Sequence, residues 1–390
     1  MSKVKLGDVM TLHRGYDLPN AQRIDGDVPI IGSSGVSGFH NVARLHDKNV
    51  ITGRYGTIGK VFYRDGPCWP LNTTLYVEDF HGNNARYVAY LLEAILASPV
   101  INGGDKSTVP GIDRNALHAM GIPYIENHDE QGLIANVLSS IDDKIALNKK
   151  IMTELEKTSR LIYDYWFTQF DFPDENGKPY RSSGGKMIYN GTLKREIPQG
   201  WEVTTVGEQC ELRLGGTPDT SVQEFWGGDM SWLSSAEVAT SPILGAEKSI
   251  TKAGVEGSAT SFAPAGSVLL SITRYIRPSI LAIDACFNQS VVAILESQAL
   301  HTEFLYPFMQ SQVPRYLTLR TGAQQPHINK ETVSETCFSI PTELILARYY
   351  DKVAPVFNQL ILAAKAVDQL SSLRDWLLPM LMNGQVHVDT

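Results

Sequence analysis

The chain is written twice. Residues from Val4 read V-K-L-G-D-V-M-T-L-H-R-G and residues from Val203 read V-T-T-V-G-E-Q-C-E-L-R-L-G, so Leu6, Gly7, Leu12 and Gly15 stand 200 positions before Val206, Gly207, Leu212 and Gly215. The echo continues with small slippage. Asn72 aligns with Asn288, Val109-Pro110-Gly111-Ile112-Asp113 with Gln325-Pro326-His327-Ile328-Asn329, and Ile122-Pro123 with Ile340-Pro341. Each copy then enters a long stretch with helical periodicity, from about residue 129 and from about residue 344. A duplicated globe-plus-helix unit predicts a pseudo-two-fold inside one chain, suited to a partner with its own two-fold, as duplex DNA has.

A chain of 390 residues is long enough for two ordinary cores, and 43% hydrophobic with 19% charged residues describes an ordered globular protein. No apolar run reaches membrane-spanning length and the start Met-Ser-Lys-Val-Lys-Leu lacks a secretory core, so a cytoplasmic chain without a membrane partner is expected. Cys68, Cys210, Cys286 and Cys337 are far apart with no C-x-x-C, and read as buried or incidental thiols. The net charge is −8, and residues 127–175 alone hold ten acidic against five basic side chains. Residues 1–126 balance at twelve of each, so attraction to phosphates by this chain alone would be weak and partners would have to add affinity.

Within the first copy, Val28-Pro29-Ile30-Ile31 and Asn49-Val50-Ile51-Thr52 read as strands between Gly-rich turns, followed by an amphipathic helix over 86–97. In the second copy, residues 267–272 and 291–295 read as strands and 302–312 as a helix. Both copies are therefore expected to be α+β. The stretch after residue 127 differs in kind. Ile134, Leu138, Ile141, Ile145, Asn148, Met152 and Leu155 alternate spacings of four and three, as do Val353, Val356, Leu360, Ala363, Val367, Leu370, Arg374 and Leu377. That is a coiled-coil seam, and two seams in one chain most simply pack on each other antiparallel; the alternative is a pair of long core helices, each within its own domain. Asn148 on the seam could fix register or lie at a solvated edge, and Pro355 should kink or delay the second helix.

Between the first helix and the second globe runs a Gly- and Pro-rich connector, Phe170-Asp171-Phe172-Pro173 through Gly177-Lys178-Pro179-Tyr180 and Ser182-Ser183-Gly184-Gly185, then Ile197-Pro198-Gln199-Gly200-Trp201. This string, with the duplication and both helices, resembles the specificity subunit of type I restriction-modification systems over the whole length. The first copy lacks the I-P-x-G-W lead-in and the second lacks an F-D-F-P tail. The resemblance implies target-recognition domains at 1–126 and 201–341, spacer helices at 127–168 and 342–384, a connector at 169–200 and a tail at 385–390. It also implies an α+β fold of two similar α/β domains separated by two long helices paired as an antiparallel coiled coil, with pseudo-two-fold symmetry within the chain.

Catalytic signatures are missing. No N-P-P-[YF] or G-x-G-x-x-G occurs, and Gly56-Thr57-Ile58-Gly59-Lys60 fails as a phosphate loop because Arg54 and Val61 stand where Gly and Ser or Thr belong. His40 and His46 read as a surface pair without ligand-spaced partners, and the carboxylates at 174–175 lie in the connector. Reading bases instead needs Arg, Lys, Asn, Gln, Ser, Thr and aromatic side chains on exposed loops. In the first copy these are Ser33, Ser34, Arg54, Tyr55, Lys60, Asn72, Thr73, Lys106 and Ser107; in the second, Trp232, Ser234, Arg274, Tyr275, Arg277, Asn288, Gln289, Gln324, Gln325 and His327. Each taken singly could serve only as a turn or a strand cap. The resemblance implies that each globe reads half of a split double-stranded DNA target and that the helices set the gap. Two methyltransferase subunits would supply S-adenosylmethionine, with no cofactor in this chain, and motor-nuclease subunits would join for restriction. Without partners, exposed seam residues leave self-association open. The rival reading is a symmetric coiled-coil scaffold that never touches DNA.

Overall fold

The structure is a computed structural model that describes residues 2–98, 111–322 and 326–388. It divides into two compact units. One comprises residues 1–146 with 368–390, the other residues 147–367, and both long helices cross the division.

In the first unit Ser2–Lys5 pairs antiparallel with Gly121–Tyr124, closing the globe where the long helix is about to begin. An antiparallel sheet follows in the order Thr11–Arg14, Thr74–Asp79, Lys48–Gly53, Val61–Asp65. A smaller sheet sets Gly35–His40 beside Val28–Gly32, which runs parallel to Trp69–Pro70. Helix Ala85–Leu96 starts where the Asn84 side chain accepts the Arg86 and Tyr87 amides, and it buries Val88, Leu91, Leu92 and Ile95. The core joins Leu6, Leu12, Val50, Leu75 and Leu92 to Ile134 and Leu138 of the first long helix, and to Leu378, Leu381 and Met382 from the far end of the chain.

The second unit repeats the plan. Glu202–Thr205 pairs with Cys337–Ile340, and Leu212–Leu214, Val291–Ile294, Val268–Ser271 and Arg277–Ile280 form the corresponding sheet. The smaller sheet runs Lys248–Ile250, Trp226–Leu233, Ala285–Phe287, Ser261–Ala263. The two α+β copies even share a close backbone approach. A Cβ on Gly15 would lie 2.1 Å from the Leu71 carbonyl oxygen, and one on Gly215 would lie 2.2 Å from that of Asn288. Only glycine lets the backbone pass so closely, which explains the 15/215 match in sequence.

That contact and its neighbours correct the alignment by one residue. Tyr16 donates its amide to Pro70 and Gly216 donates to Phe287, while the Thr74 amide reaches Leu71 and the Val291 amide reaches Asn288. The counterpart of Asn72 is therefore Gln289, and that of Asn288 is Leu71. Side chains confirm the shift: Asn72 Nδ2 bonds Asp17 Oδ1, and Thr217 Oγ1 bonds Gln289 Oε1 at 2.6 Å.

The long helices span His128–Tyr163, continued by a π-helical turn Asp164–Thr168, and Glu343–Met382. Asn127 begins the first, its side chain accepting the Asp129 and Glu130 amides. Pairing is antiparallel within each unit. In the first, Arg374 forms an ion pair with Asp142 at 2.8 Å and His387 lies 3.1 Å from Glu130. In the second, the Trp166 and Tyr349 rings lie 5.6 Å apart, while Met152 and Leu155 pack into the core that holds Phe357 and Leu360. Ile134, Leu138, Ile141, Ile145, Val353 and Leu360 are buried; Asn148, Met152, Leu155, Val356, Val367, Leu370 and Leu377 are half-buried, and Phe357 and Leu378, one residue after two of these, are buried. The inward face is thus wider than a strict seam of alternating fours and threes, the broader apolar stripe of a helix that packs on a globular core. Arg374, on the seam by periodicity, is held by Glu93 as well as Asp142.

The second helix is not delayed at Pro355. It runs unbroken through that residue, because Pro355 and the Asp351 carbonyl it frees lie on an exposed side where water can satisfy the lost bond. Helix Thr302–Thr318 likewise continues through Pro307 and Pro314, six residues beyond the expected end.

The connector is built into the second unit's core. Phe172 stacks between Tyr180 at 4.7 Å and Trp201 at 5.3 Å, Phe170 meets Trp201 edge-on, and Arg195 lies 4.5 Å over Phe170. Asp171 accepts both the amide and the hydroxyl of Ser182, and a Cβ on Gly185 would strike Tyr180 at 2.5 Å. Phe170, Asp171, Phe172, Tyr180, Ser182, Gly185 and Trp201 of the string thus have packing or bonding roles.

Candidate nucleic-acid interface

Strand ends deliver the polar loops. After Lys48–Gly53 the chain turns at Arg54 and Tyr55, whose amides both donate to the Thr73 carbonyl, at 2.8 and 3.3 Å. The Arg54 carbonyl accepts the Ile112 amide at 2.9 Å, and Tyr55 bridges to Gly111. Ser33, on the hairpin turn with Ser34, lies against Gly53 and Gly56. Three segments distant in sequence so meet beside a cleft of about 690 Å³ lined by Arg14, Arg54, Tyr55, Arg114 and Asn115 among others. The Arg54 guanidinium lies 4.6 Å over the Tyr55 ring, and Tyr55 is exposed. Three guanidiniums and an aromatic face in one opening suit phosphates and stacked or edge-on bases.

Arg14 and Arg114 were invisible to sequence reasoning, since nothing local marks them; only the fold brings positions 14, 54 and 114 together. Lys60 is exposed outside the cleft lining, and its carbonyl accepts the Thr52 hydroxyl at 2.8 Å. Asn72 is half-buried and tied to Asp17. Lys106 and Ser107 lie outside the described residues, as do Gln324 and Gln325.

Helix Arg114–Ala119, capped by Asp113, is fixed to the cleft strand by His118, whose Nε2 accepts the Leu12 amide at 2.9 Å. Burial first, then the Arg114 guanidinium and His81, hold the His118 imidazole below its ordinary value of 6.5. The folded ring therefore resists a proton that the unfolded chain accepts. Stability in place above pH 6.5 is lost as the pH falls below it. In calorimetry the unfolding midpoint of the first unit should drop between pH 7 and 5, and His118→Gln, which keeps an acceptor, should flatten that slope.

In the second unit the Thr273–His327 bridge repeats that of Tyr55 with Gly111, and the Ile328 amide donates to the Ile272 carbonyl at 3.0 Å. Arg274, Tyr275 and Arg277 are exposed, with both guanidiniums within 6 Å of the Tyr275 ring, at 5.6 and 5.8 Å. His327 is exposed on this loop pair, exchanging backbone bonds with Thr321. Gln289 is exposed, whereas Asn288 is half-buried and bonds the Ser290 amide. Ser234 is taken up locally, its amide and hydroxyl bonding Glu237. Trp232 is not a surface reader: it is buried, packed edge-on against Trp226, and its indole N–H bonds the Gly216 carbonyl. Burial with its one donor satisfied makes it a core residue.

His40 is also buried rather than one of a surface pair, bonded to the Ile24 backbone and edge-on to Trp69. Cys68, Cys210 and Cys286 are buried and Cys337 half-buried; burial pushes the Cys68 and Cys210 thiols up to about 11, far from reactive thiolates. Among the described residues, no cluster of His, Cys, Asp and Glu could hold a metal ion, and no helix is long and apolar enough to cross a membrane.

The profile of the type I restriction modification DNA specificity domain matches this chain twice, over residues 1–157 and 198–345. The chain belongs to the type I restriction-modification specificity-subunit family. Each match contains one of the two globes, the first running on into the long helix, and membership carries DNA target recognition with it, which sets aside the DNA-free scaffold. Specificity subunits are the non-catalytic members of these systems. The type I restriction enzyme MjaIX specificity subunit of Methanocaldococcus jannaschii is 24% identical over 313 residues, 78% of this chain and 70% of that one. The HindI specificity subunit of Haemophilus influenzae is 21% identical over 330 residues, 72% of each. In fold, this specificity subunit is similar to the crystal structure of the type I S subunit from M. genitalium, with a TM-score of 0.63 and 15% identity over 100% of this chain and 96% of that one.

Proposed function

We propose that each globular unit reads one half of a bipartite duplex target, and that the paired helices set the unread gap between the halves. One observation carries this reading. Leaving the same pair of strand ends, the two copies present loops of similar polarity but different side chains and positions, Arg54-Tyr55 with Asn72-Thr73 in one and Arg274-Tyr275-Arg277 with Gln289 in the other. A scaffold kept identical gives constant placement, and loops that differ give different sequence preferences.

The near balance of charge in the first copy fits assembly with partners that add phosphate contacts. Two methyltransferase subunits would dock on the chain and hold S-adenosylmethionine, and motor-nuclease subunits would complete a restriction complex. This chain would contribute placement, not bond making. Mapping methylated bases across the host genome, with and without this gene, tests the proposal. Two short defined sequences separated by a fixed undefined gap are expected, all vanishing on deletion; a continuous motif, or one indifferent to deletion, would refute it.

A further inference from the structure

Four backbone contacts place the loops of the two copies in strict register. Arg54 donates to Thr73 and accepts from Ile112, and Ile272 donates to Ser290 and accepts from Ile328. Tyr55 and Thr273 make the matching bridges, to Gly111 and His327. The next residue is Gly56 in the first copy, with φ +81°, and Arg274 in the second, with φ +52°. A left-handed turn is required at this station in both. Glycine meets the requirement freely, while an arginine there is uncommon and strained, lacking the short polar side chain that lets Asn or Asp settle locally.

The fold gains nothing visible from the substitution. Among the described residues, the Arg274 guanidinium has no hydrogen bond or ion pair; it faces solvent beside the exposed Tyr275 ring, 5.6 Å from its centroid, with Arg277 on the same ring. A strained residue without structural employment points to use elsewhere.

We infer that Arg274 is a specificity-determining residue of the second unit, presenting its guanidinium to the O6 and N7 edge of one guanine in that unit's half-site. The inference rests on the DNA-reading function proposed above. A planar fork of donors matches that edge bidentately, and the Tyr275 ring beneath holds the plane of the fork. A phosphate contact would not need this station, since backbone phosphates can be met by a cation almost anywhere along the groove, whereas a base edge demands one position. The first copy, with Gly56 here, has no equivalent reader, and Arg54 precedes the station by two residues.

The test compares the full chain with Arg274→Gly and Arg274→Lys, each expressed in the host with its partner subunits, by methylation mapping, salt-dependent binding to duplexes and thermal melting. In both variants the first half of the motif should persist while one G·C pair in the second half loses its definition, discrimination there falling about 5- to 150-fold. Arg274→Gly should melt no lower than the parent. A motif unchanged in Arg274→Gly overturns the inference. So does an even loss of binding to all duplexes with a salt slope smaller by about one and rescue by lysine, the signature of a phosphate contact. A lowered melting temperature in Arg274→Gly also overturns it, by giving the arginine a structural role. If the parent chain itself yields no split motif, the DNA-reading proposal fails instead, and the two failures are distinct.

Discussion

Replacing Tyr349 by Ala should remove about 3–5 kcal/mol from the unit formed by residues 147–367. Tyr349 sits two turns into the second long helix, fully buried, with the Phe167 ring 4.7 Å and the Trp166 ring 5.6 Å from its own. Its hydroxyl donates to the Glu303 carbonyl at 2.9 Å, tying it to helix Thr302–Thr318 as well. One side chain thus joins the end of the first long helix, the start of the second and the globe. Tyr349→Phe keeps the packing and strands only the carbonyl, so its loss should be near 1–2 kcal/mol. Urea unfolding of the full chain reads both variants, provided the transition of each unit is followed separately. A loss below 1 kcal/mol for the alanine variant would contradict the packing described.

Seven residues inserted into each long helix should lengthen the undefined gap of the target. The natural places are between 146 and 147 and between 367 and 368, where both helices pass from one compact unit to the other. Seven residues are nearly two turns, so the inward face is kept to within about 20° and the register of the antiparallel partners survives if both helices receive them. At about 1.5 Å per residue the addition is about 10 Å, the length of roughly three base pairs at about 3.4 Å each. Methylation mapping should return the same two half-sites with a wider gap. An unchanged gap would remove the helices from any part in measuring the target.

The repeat was legible because its anchors are glycines that backbone contact forbids to change, at 15 and 215, and the long helices because apolar spacing alone specifies them. Strands such as Val28–Gly32 and Val291–Ile294 appear in sequence as short apolar runs for the same reason. The loops were less legible. Asn72 and Asn288 are identical residues one position out of register, since strand pairing follows backbone bonds, which side-chain identity does not report. Trp232 resembles a reader in sequence, yet its alternation along Trp226–Leu233 turns it inward. Arg14 and Arg114 join Arg54 only through sheet topology, and the Gly- and Pro-rich connector hid an aromatic stack whose members are thirty residues apart.

The first globe is completed by Leu378, Leu381 and Met382. On the ribosome, then, the first globe must wait with an open apolar gap until residues 378–382 have been translated. A nonsense or frameshift lesion ahead of residue 378 would therefore spoil the first globe as surely as the second long helix.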